Sequence, residues 1–319
     1  MTTATPLHTP RAPLRIGTRG SPLALAQAHE TRDRLGAAHP HLAEPGAIEI
    51  VVIKTTGDRI LDRTLAEAGG KGLFTKEIED ALIAGEIDLA VHSMKDVPTA
   101  LPDGLGITCL LPREDPRDAW FSRSGADLMD LPADAVVGTA SLRRQAQILA
   151  RRPDLKVVPL RGNVQTRMRK LAEGEVDATL LALAGLRRLA LADRVTAVLE
   201  PEVMLPAVAQ GAIGIETRLD DAVTNALLAP LNCAETALRV TAERGVLTAL
   251  DGSCRTPIAA LARVLPDGGM ELEAMALSPD GRTIVTTRRR FPAAEALTAG
   301  LDAGQELKSR LPAGIFTVA

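Results

Sequence analysis

The feature that most constrains the fold is a strand–loop–helix pattern that occurs twice, in the same order. Residues 15–21 (RIGTRGS) and 136–141 (VVGTAS) both run from a strand through Gly-Thr to a serine that precedes a helix. Residues 82–91 (LIAGEIDLAV) and 171–180 (LAEGEVDATL) both end a helix at a glycine and then enter a strand. The repeat predicts two similar α/β lobes with a cleft between them.

Short β-branched runs alternate with amphipathic segments through the first two thirds of the chain, which favours parallel sheets with right-handed crossovers. The last third differs, because a long helix precedes three strand-like runs, the latter two joined by the hairpin turn SPDG. It predicts a small α+β unit. We expect strands at residues 48–54, 87–92, 136–139, 156–160, 178–183, 213–216, 258–265, 270–277 and 283–290, and helices at 74–84, 142–150, 166–173 and 235–250.

Composition excludes several classes of protein. The 319 residues are 46% hydrophobic, which is enough for sizeable cores and excludes global disorder. One Trp, four Phe and no Tyr argue against base-stacking nucleic-acid modules. No apolar run approaches the roughly 18 residues of a membrane span, and the first residues lack a secretory signal. Three cysteines without a CxxC pair indicate a reducing compartment and no zinc knuckle. We therefore expect a soluble, cytoplasmic, metal-free protein.

Both Gly-Thr loops end at a helix that a serine can cap. Ser21 is followed by Pro22 at the first helical position, and Ser141 precedes the helix at 142–150. Helix N-termini present free N–H groups and the positive end of the helix dipole, so each lobe can offer an anion site to the cleft. The alternative is that these are two ordinary capped helices.

Positive charge is concentrated in the second half of the repeat. Residues 139–170 contain nine basic side chains against one acid, Asp154, in a chain of net charge −3. A solvated helix face normally mixes signs, so this segregation indicates a polyanionic ligand. Nucleic acid is the rival ligand, but the scarcity of aromatics favours a small molecule with many carboxylates. The basic residues are Arg143, Arg144, Arg151, Arg152, Lys156, Arg161, Arg167, Arg169 and Lys170.

Two residues are candidates for chemistry. Asp96, in HSMKDVP, follows a strand at the end where α/β sheets bind ligands, although an Asp there can also be a helix cap or ion-pair partner. Cys254, in DGSCRTP, lies in a polar loop beside Arg255, where a thiolate is favoured. Cys109 and Cys233 are expected to be buried and inert. The residues alone thus predict a two-lobed anion-binding protein with a reactive thiol on a third domain. A non-catalytic binding protein and a cysteine hydrolase stay open as alternatives.

Residues 58–74 (DRILDRTLAEAGGKGLF) are expected to form a long loop, with three glycines around Lys71. The segment lacks the GxxxxGK[ST] spacing of a phosphate-binding loop, because Leu73 follows Gly72. We interpret it as a mobile lid over the cleft or as a surface loop.

Nine segments, taken together and in order, resemble the porphobilinogen deaminases (hydroxymethylbilane synthases), enzymes of tetrapyrrole synthesis. They span nearly the whole chain, and HSMKD together with the Gly-Ser-Cys loop is the most specific part of the match. The segments are RIGTRGSPLALAQA from residue 15, TTGDRILD from 55, GGKGLFTKEIEDAL from 69, AVHSMKDVPT from 90, VGTASLRRQAQ from 137, LRGNVQTRMRKL from 160, LAGLRRL from 183, PAVAQGAIGIE from 206 and ERGVLTALDGSCRTPIAA from 243.

The resemblance implies two periplasmic-binding-protein-like (type II) α/β lobes, residues 14–111 plus 212–230 and residues 112–211. A C-terminal α+β domain, residues 231–319, would carry the cofactor cysteine. The implied reaction condenses four porphobilinogens head to tail into hydroxymethylbilane and releases ammonia each time. The implied cofactor is a dipyrromethane joined to Cys254 by a thioether. We expect a monomer with no nucleic-acid or membrane partner.

The resemblance also implies roles for individual residues. Asp96 corresponds to the catalytic carboxylate. The implied cofactor ligands are Lys95, Thr139, Ser141, Arg143, Arg144, Arg161, Arg188 and Gln210, and the implied substrate ligands are Arg19, Ser21 and Arg167.

The chain departs from the common family pattern at two places. Arg-Thr-Pro follows Cys254 where many bacterial members have Gln-Val-Pro, and Ala140 stands where a second serine is common.

Overall fold

The computed structural model describes residues 13–59, 72–252 and 256–316. In this part of the chain the strands are β1 Leu14–Thr18, β2 Ile48–Val52, β3 Leu89–Ser93, β4 Leu105–Leu110, β5 Asp118–Ser122, β6 Val136–Gly138, β7 Lys156–Val158, β8 Ala178–Ala182, β9 Ala197–Leu199, β10 Ile213–Arg218, β11 Ile258–Val264, β12 Gly269–Leu277 and β13 Ile284–Pro292. The α-helices are α1 Pro22–Ala38, α2 Thr56–Arg59, α3 Lys76–Ile83, α4 Leu142–Arg151, α5 Val164–Glu173, α6 Leu183–Arg188, α7 Ala222–Leu228, α8 Ala234–Ala249 and α9 Ala296–Arg310.

The strands form three sheets. The first lobe contains the order β2-β1-β3-β10-β4, and the second lobe contains β7-β6-β8-β5-β9. The third sheet, β11-β12-β13, packs against α8 and α9. Each predicted strand and helix is present, with ends that differ by at most two residues. The expected class, two α/β lobes and a small α+β unit, is therefore confirmed.

The expectation that the lobe sheets are parallel is only half right. β1 pairs in parallel with β2 and β3, and β6 does so with β7 and β8. However, β10 is antiparallel to both its neighbours, and so is β5. Each of these two strands begins where the chain arrives from the other lobe instead of from a crossover helix, so its direction is reversed. A local sequence pattern contains no signal of this reversal.

The repeated Glu-Ile-Asp and Glu-Val-Asp motifs, residues 86–88 and 175–177, have the same structural role in the two lobes. The Asp88 carboxylate accepts a hydrogen bond from the backbone N–H of Arg15 at 2.8 Å, and Asp177 accepts one from Val136 at 2.8 Å. These contacts attach the start of β3 to β1 in the first lobe and the start of β8 to β6 in the second, and in each lobe the two strands are parallel neighbours. Gly174, the predicted cap, has a φ of +81°, a conformation that favours glycine.

The predicted SPDG turn joins β12 and β13 as an antiparallel hairpin. Gly281 in this turn has a φ of +72°, and a Cβ there would lie 2.4 Å from the Ala146 carbonyl oxygen on α4. Gln145 also donates to the Pro279 carbonyl at 3.2 Å. The C-terminal hairpin therefore supports the helix of the second lobe that bears Arg143 and Arg144.

Two connections join the lobes, the first formed by residues 111–117 and the second by residues 200–212. They run side by side, because the Glu114 N–H donates to the Gly211 carbonyl at 3.3 Å. Gly211 has a φ of +91°, and a Cβ there would lie 2.3 Å from the Glu114 carbonyl oxygen. Only glycine fits this close approach.

The fully buried Glu243 carboxylate, on α8, ties both connections to the third sheet. Arg113 of the first connection donates to it through Nη1 at 2.6 Å and Nη2 at 3.0 Å. The backbone N–H of Ala209, in the second connection, donates at 2.7 Å, and that of Ala262 on β11 donates at 2.8 Å. All three structural units therefore meet at one carboxylate.

Replacing this carboxylate by a neutral amide should strongly destabilise the protein. We expect Glu243→Gln to lower the free energy of unfolding by about 3–5 kcal/mol, because it leaves the Arg113 charge buried without its counter-ion. Urea unfolding followed by circular dichroism measures this change. The control is Glu173→Gln, which removes the exposed Arg169–Glu173 pair and should change stability by less than about 0.5 kcal/mol. Equal effects of the two substitutions would contradict the prediction.

Candidate active site

A cavity of about 160 Å³ lies where the two lobes and the C-terminal unit meet. Its lining combines four cationic side chains with a single carboxylate, that of Asp96. The lining residues are Lys95, Asp96, Ala140, Ser141, Arg143, Arg144, Arg167, Ala207, Val208, Gln210, Leu247, Thr256 and Ile258. The structure thus brings together seven of the residues that the sequence predicted for the site.

A larger groove, of about 430 Å³, lies between the second lobe and the C-terminal unit. Its charged side chains largely neutralise one another: Arg117 pairs with Asp115 and Glu200, and Arg239 pairs with Glu235. It contains none of the predicted site residues. We therefore take the smaller cavity as the candidate active site.

Asp96 lies in a short 3₁₀ turn, Met94–Asp96, that directly follows β3. The turn is fixed because the Met94 N–H donates to the Ala212 carbonyl at 3.0 Å. Arg244 on α8 holds the next residues, donating to the Val97 carbonyl at 3.0 Å and the Pro98 carbonyl at 2.6 Å. Within the described ranges, no side chain or backbone group forms a hydrogen bond with the Asp96 carboxylate. The carboxylate therefore remains available to a ligand in the cavity.

Lys95 is a strongly perturbed base of the cavity. Burial lowers the pKa of its ammonium to about 8, and the positive charges of Arg144 and Arg143 act in the same direction. Asp96 and Asp118 oppose the shift without cancelling it. In the cavity Lys95 is therefore a cation below about pH 8 and increasingly a neutral amine above it.

Arg143 and Arg144 share a counter-ion that sequence reasoning missed. Each donates through Nη2 to the fully buried Asp118 carboxylate at 2.7 Å, and Gln210 donates to the same carboxylate at 2.8 Å. Burial alone would raise the pKa of Asp118, but the two guanidiniums outweigh it and hold that pKa well below its ordinary value. No motif marks Asp118 in the sequence, since its partners lie 25 to 92 positions away.

The predicted hydroxyl ligands also cap helices. Ser21 accepts a hydrogen bond from the Ala24 N–H at 3.2 Å, and Ser141 accepts one from the Arg144 N–H at 3.4 Å, which confirms both predicted caps. Thr139 accepts one from the Ser141 N–H at 3.1 Å. Ser141 lines the cavity, whereas Ser21 is not part of the lining.

The remaining predicted arginines have different surroundings. Arg167 lines the cavity, where burial together with the nearby Arg144 and Arg161 lowers its guanidinium pKa to about 10. Arg188 lies outside the lining and bridges the lobes, donating to the Glu30 carboxylate at 3.1 Å and to the Gly211 carbonyl at 3.1 Å.

Arg19 is also outside the cavity lining. Its guanidinium stacks over the Phe74 ring at 4.2 Å from the ring centroid. A cation on an aromatic face is stabilised by the negative charge density of the ring.

Some predictions fall outside the described residues. Cys254 is among these, and so is most of the loop predicted at 58–74. Thr256, two positions after Cys254, lines the cavity. Cys109 is buried as expected, and burial raises the pKa of its thiol to about 12, whereas Cys233 is only partly buried. Among the described helices, none has the length and apolar character needed to span a membrane.

The cavity suits a ligand with several carboxylates. Two buried N–H donors on arginines that line the cavity, Arg143 Nε and Arg144 Nε, have no hydrogen-bond partner within residues 13–59, 72–252 and 256–316, and the same is true of Nη1 of Arg161, which lies outside the lining. Buried donors are normally paired, so these positions call for acceptors from a bound group. Together with the excess positive charge, they fit a polyanionic ligand.

Comparison with known proteins decides the family. Residues 14–226 match the family model "Porphobilinogen deaminase, dipyromethane cofactor binding domain", and residues 237–309 match "Porphobilinogen deaminase, C-terminal domain". The chain belongs to the porphobilinogen deaminase family. It is a transferase of tetrapyrrole synthesis that condenses porphobilinogen into hydroxymethylbilane with the release of ammonia, and its cofactor is a dipyrromethane.

Relatives from this family match the chain over nearly its full length. A porphobilinogen deaminase of Paracoccus denitrificans is 58% identical and covers 98% of this chain and 99% of its own. The chloroplastic enzyme of Oryza sativa is 60% identical and covers 95% and 85%. Among solved structures, a TRAP periplasmic solute-binding protein of Desulfovibrio salexigens matches at a TM-score of 0.40 with 9% identity, over 69% and 70% of the two chains.

Lys95 should react with an amine reagent before other lysines. A lysine whose pKa is about 8 is half neutral at pH 8, whereas an ordinary lysine is almost fully protonated. Brief acetylation of apoprotein at pH 8, read by peptide mass spectrometry, should modify Lys95 well ahead of the exposed Lys156. The Lys95 labelling rate should fall as pH drops below 8, and cofactor carboxylates should suppress it. Equal labelling of both lysines would contradict the assignment.

Proposed function

We propose that the condensation takes place in the 160 Å³ cavity and that Asp96 is its catalytic carboxylate. The observation that carries this proposal is the contrast between the two acids near the cavity. Asp118 is fully buried and accepts hydrogen bonds from three side chains, whereas the Asp96 carboxylate lines the cavity with no such partner among the described residues. Asp96 is thus the acid that can respond to a reacting group.

The cationic residues would bind the carboxylates of the pyrroles. Each porphobilinogen ring carries an acetate and a propionate, so every added ring adds two negative charges. Lys95, Arg143, Arg144 and Arg167 line the cavity and supply fork-shaped or point-charge donors. We assign the cofactor carboxylates and polar groups to Lys95, Thr139, Ser141, Arg143, Arg144, Arg161, Arg188 and Gln210, and those of incoming substrate to Arg19, Ser21 and Arg167.

Asp96 would serve both halves of one condensation. When the aminomethyl group of porphobilinogen loses ammonia, the C–N bond breaks and the ring is left as a cation, which a nearby carboxylate stabilises in a low-dielectric cavity. The α-carbon of the terminal pyrrole then forms the new C–C bond and must lose its proton. Asp96 can accept that proton as a general base and return it to solvent or to the next leaving amine.

The dipyrromethane, when bound, supplies the terminal pyrrole that receives the first substrate ring. We propose that Cys254 holds it through a thioether. The position of Thr256 supports this proposal, because the chain two residues from Cys254 lines the same cavity as Asp96. A thiol that anchors a cofactor needs no neighbouring base during turnover.

We further propose three domains with the boundaries given above, 14–111 plus 212–230, 112–211 and 231–319. The two connections and the separate sheets support this division. We also propose that the enzyme acts as a monomer. A cytoplasmic location also remains our proposal.

Substitutions that move or remove the Asp96 carboxylate should distinguish the effect of its charge on the rate from the effect of its position. We expect Asp96→Ala to lower kcat by more than about 10³-fold, since both electrostatic stabilisation and proton transfer are lost. Asp96→Glu should retain weak activity because the charge is kept but displaced. Steady-state assays of product formation measure both variants, with the exposed Asp103→Ala as control. Comparable rates for the Ala and Glu variants would show that carboxylate placement does not matter.

The intact mass of the purified protein tests the anchor. Under denaturing conditions we expect an excess equal to two porphobilinogens minus two ammonias. The excess should be absent in Cys254→Ser and present in Cys233→Ser, because Cys233 is the N-cap residue of α8 and does not line the cavity. A modified Cys254→Ser protein would overturn the assignment of the attachment site.

A further inference from the structure

We infer that Asp118 is a positioning residue, which aims the Arg143 and Arg144 guanidiniums at the carboxylates of the bound pyrrole chain. The inference rests on the proposed ligand role of these two arginines. Asp118 does not line the cavity itself and lies behind the arginines as the first residue of β5.

The guanidiniums are each held at two points. Arg143 donates through Nη2 to Asp118 Oδ2 at 2.7 Å and through Nη1 to the Leu205 carbonyl at 2.7 Å. Arg144 donates through Nη2 to Asp118 Oδ1 at 2.7 Å and through Nη1 to the Leu180 carbonyl at 2.9 Å. A guanidinium that is held at both Nη atoms and attached to its own side chain through Nε has a fixed orientation. Asp118 therefore sets the direction of both.

The arrangement leaves both arginines with unused capacity. A guanidinium has five N–H donors, and these contacts account for two of them in each arginine. The buried Nε donors are among those without a partner in the described part of the chain. One carboxylate also neutralises only one of the two positive charges. Asp118 thus fixes the pair while leaving charge and donors for a ligand.

Only a carboxylate fits the position of Asp118. Three N–H donors converge on its two oxygens, because Gln210 Nε2 also donates to Oδ1, at 2.8 Å. Gln210 belongs to the second connection and also donates to the Pro116 carbonyl of the first, at 2.7 Å. An asparagine would place its NH₂ group against one of the donors. The network therefore requires an acid at the point where the two connections meet the second lobe.

The internal repeat shows that the lobe architecture does not need this acid. Asp118 pairs with Ala182 at the end of β8, and the equivalent register in the first lobe pairs Ile213 with Ser93 at the end of β3. Ile213 is fully buried and apolar. The same strand end is thus built without charge in the first lobe. Asp118 departs from the repeat in the lobe whose helix carries the two arginines.

Asp118→Glu tests the inference, because it keeps the charge and shifts the carboxylate by about one bond length. The matched control is Asp177→Glu, in the same lobe, where the carboxylate accepts from the Val136 N–H. Intact mass gives the fraction of protein that carries the dipyrromethane, thermal unfolding reports the fold, and steady-state kinetics give kcat and KM.

We expect Asp118→Glu to retain a cooperative thermal transition. Its KM for porphobilinogen should rise about tenfold or more and the fraction of protein that carries the cofactor should fall, because charge-assisted hydrogen bonds to the ligand are lost. Its kcat should fall less than its KM rises. Asp177→Glu should load and turn over like the unaltered enzyme. A folded Asp118→Glu enzyme with normal loading and KM would overturn the inference.

Two further outcomes are decided by companion variants. If Asp118→Glu does not fold, Asp118→Asn is tested in its place, with the same expected loss of loading. Failure of both to fold would overturn the inference, because Asp118 would then be required for the fold itself. Arg144→Gln tests the proposed ligand role of Arg144 separately from the positioning role of Asp118. Normal loading and a normal KM in Arg144→Gln would reject the ligand role. Impaired loading in Arg144→Gln, together with normal loading and KM in Asp118→Glu, would reject the positioning role alone.

Discussion

The cavity between the lobes holds more positive charge than its own acids neutralise, and the rest of the structure keeps that charge in place. Lys95, Arg143, Arg144 and Arg167 line the cavity against a single lining carboxylate. Buried like charges repel and lose hydration, which is visible in the lowered pKa values of Lys95 and Arg167. Under the proposed function, a polycarboxylate ligand relieves this cost, so the charges that destabilise the folded chain favour binding of the cofactor and the growing product chain.

Two buried carboxylates make the arrangement rigid. Glu243 joins both interlobe connections to the C-terminal sheet, and Asp118 joins the second connection to the two arginines of α4. The hairpin turn at Gly281 supports the same helix from outside. The C-terminal unit therefore supports α4, the helix that carries Arg143 and Arg144 of the cavity lining.

The two lobes share one architecture but divide the chemistry. Equivalent aspartates, Asp88 and Asp177, tie equivalent strands, and serines cap α1 and α4 in the same way. In the first lobe the strand end after β3 carries Lys95 and Asp96, whereas the second lobe carries the arginines. A carboxylate and a set of guanidiniums thus line one cavity from two copies of one pattern.

Much of the secondary structure and of the lobe repeat could be predicted from local sequence. The repeat, the hairpin turn, the serine caps and the ends of the main helices and strands depend on residues close together in the chain, and all of them are present in the structure. Asp96 was identified because a strand end and a following proline are local signals. The clustering of basic residues in the second lobe was likewise readable as a ligand signal.

The remaining features depend on contacts between distant residues. The directions of β5 and β10 follow from where the chain returns from the other lobe, and Asp118 acquires its role only when β5, α4 and the second connection meet. Arg188 likewise faces Glu30 across 158 positions of sequence. The sequence by itself determined the elements, the caps and the chemical character of the cleft, because these are set by neighbouring residues. Only the tertiary structure decided which charges share a counter-ion and which stay available to a ligand, because that depends on burial and distance between segments that no local pattern links.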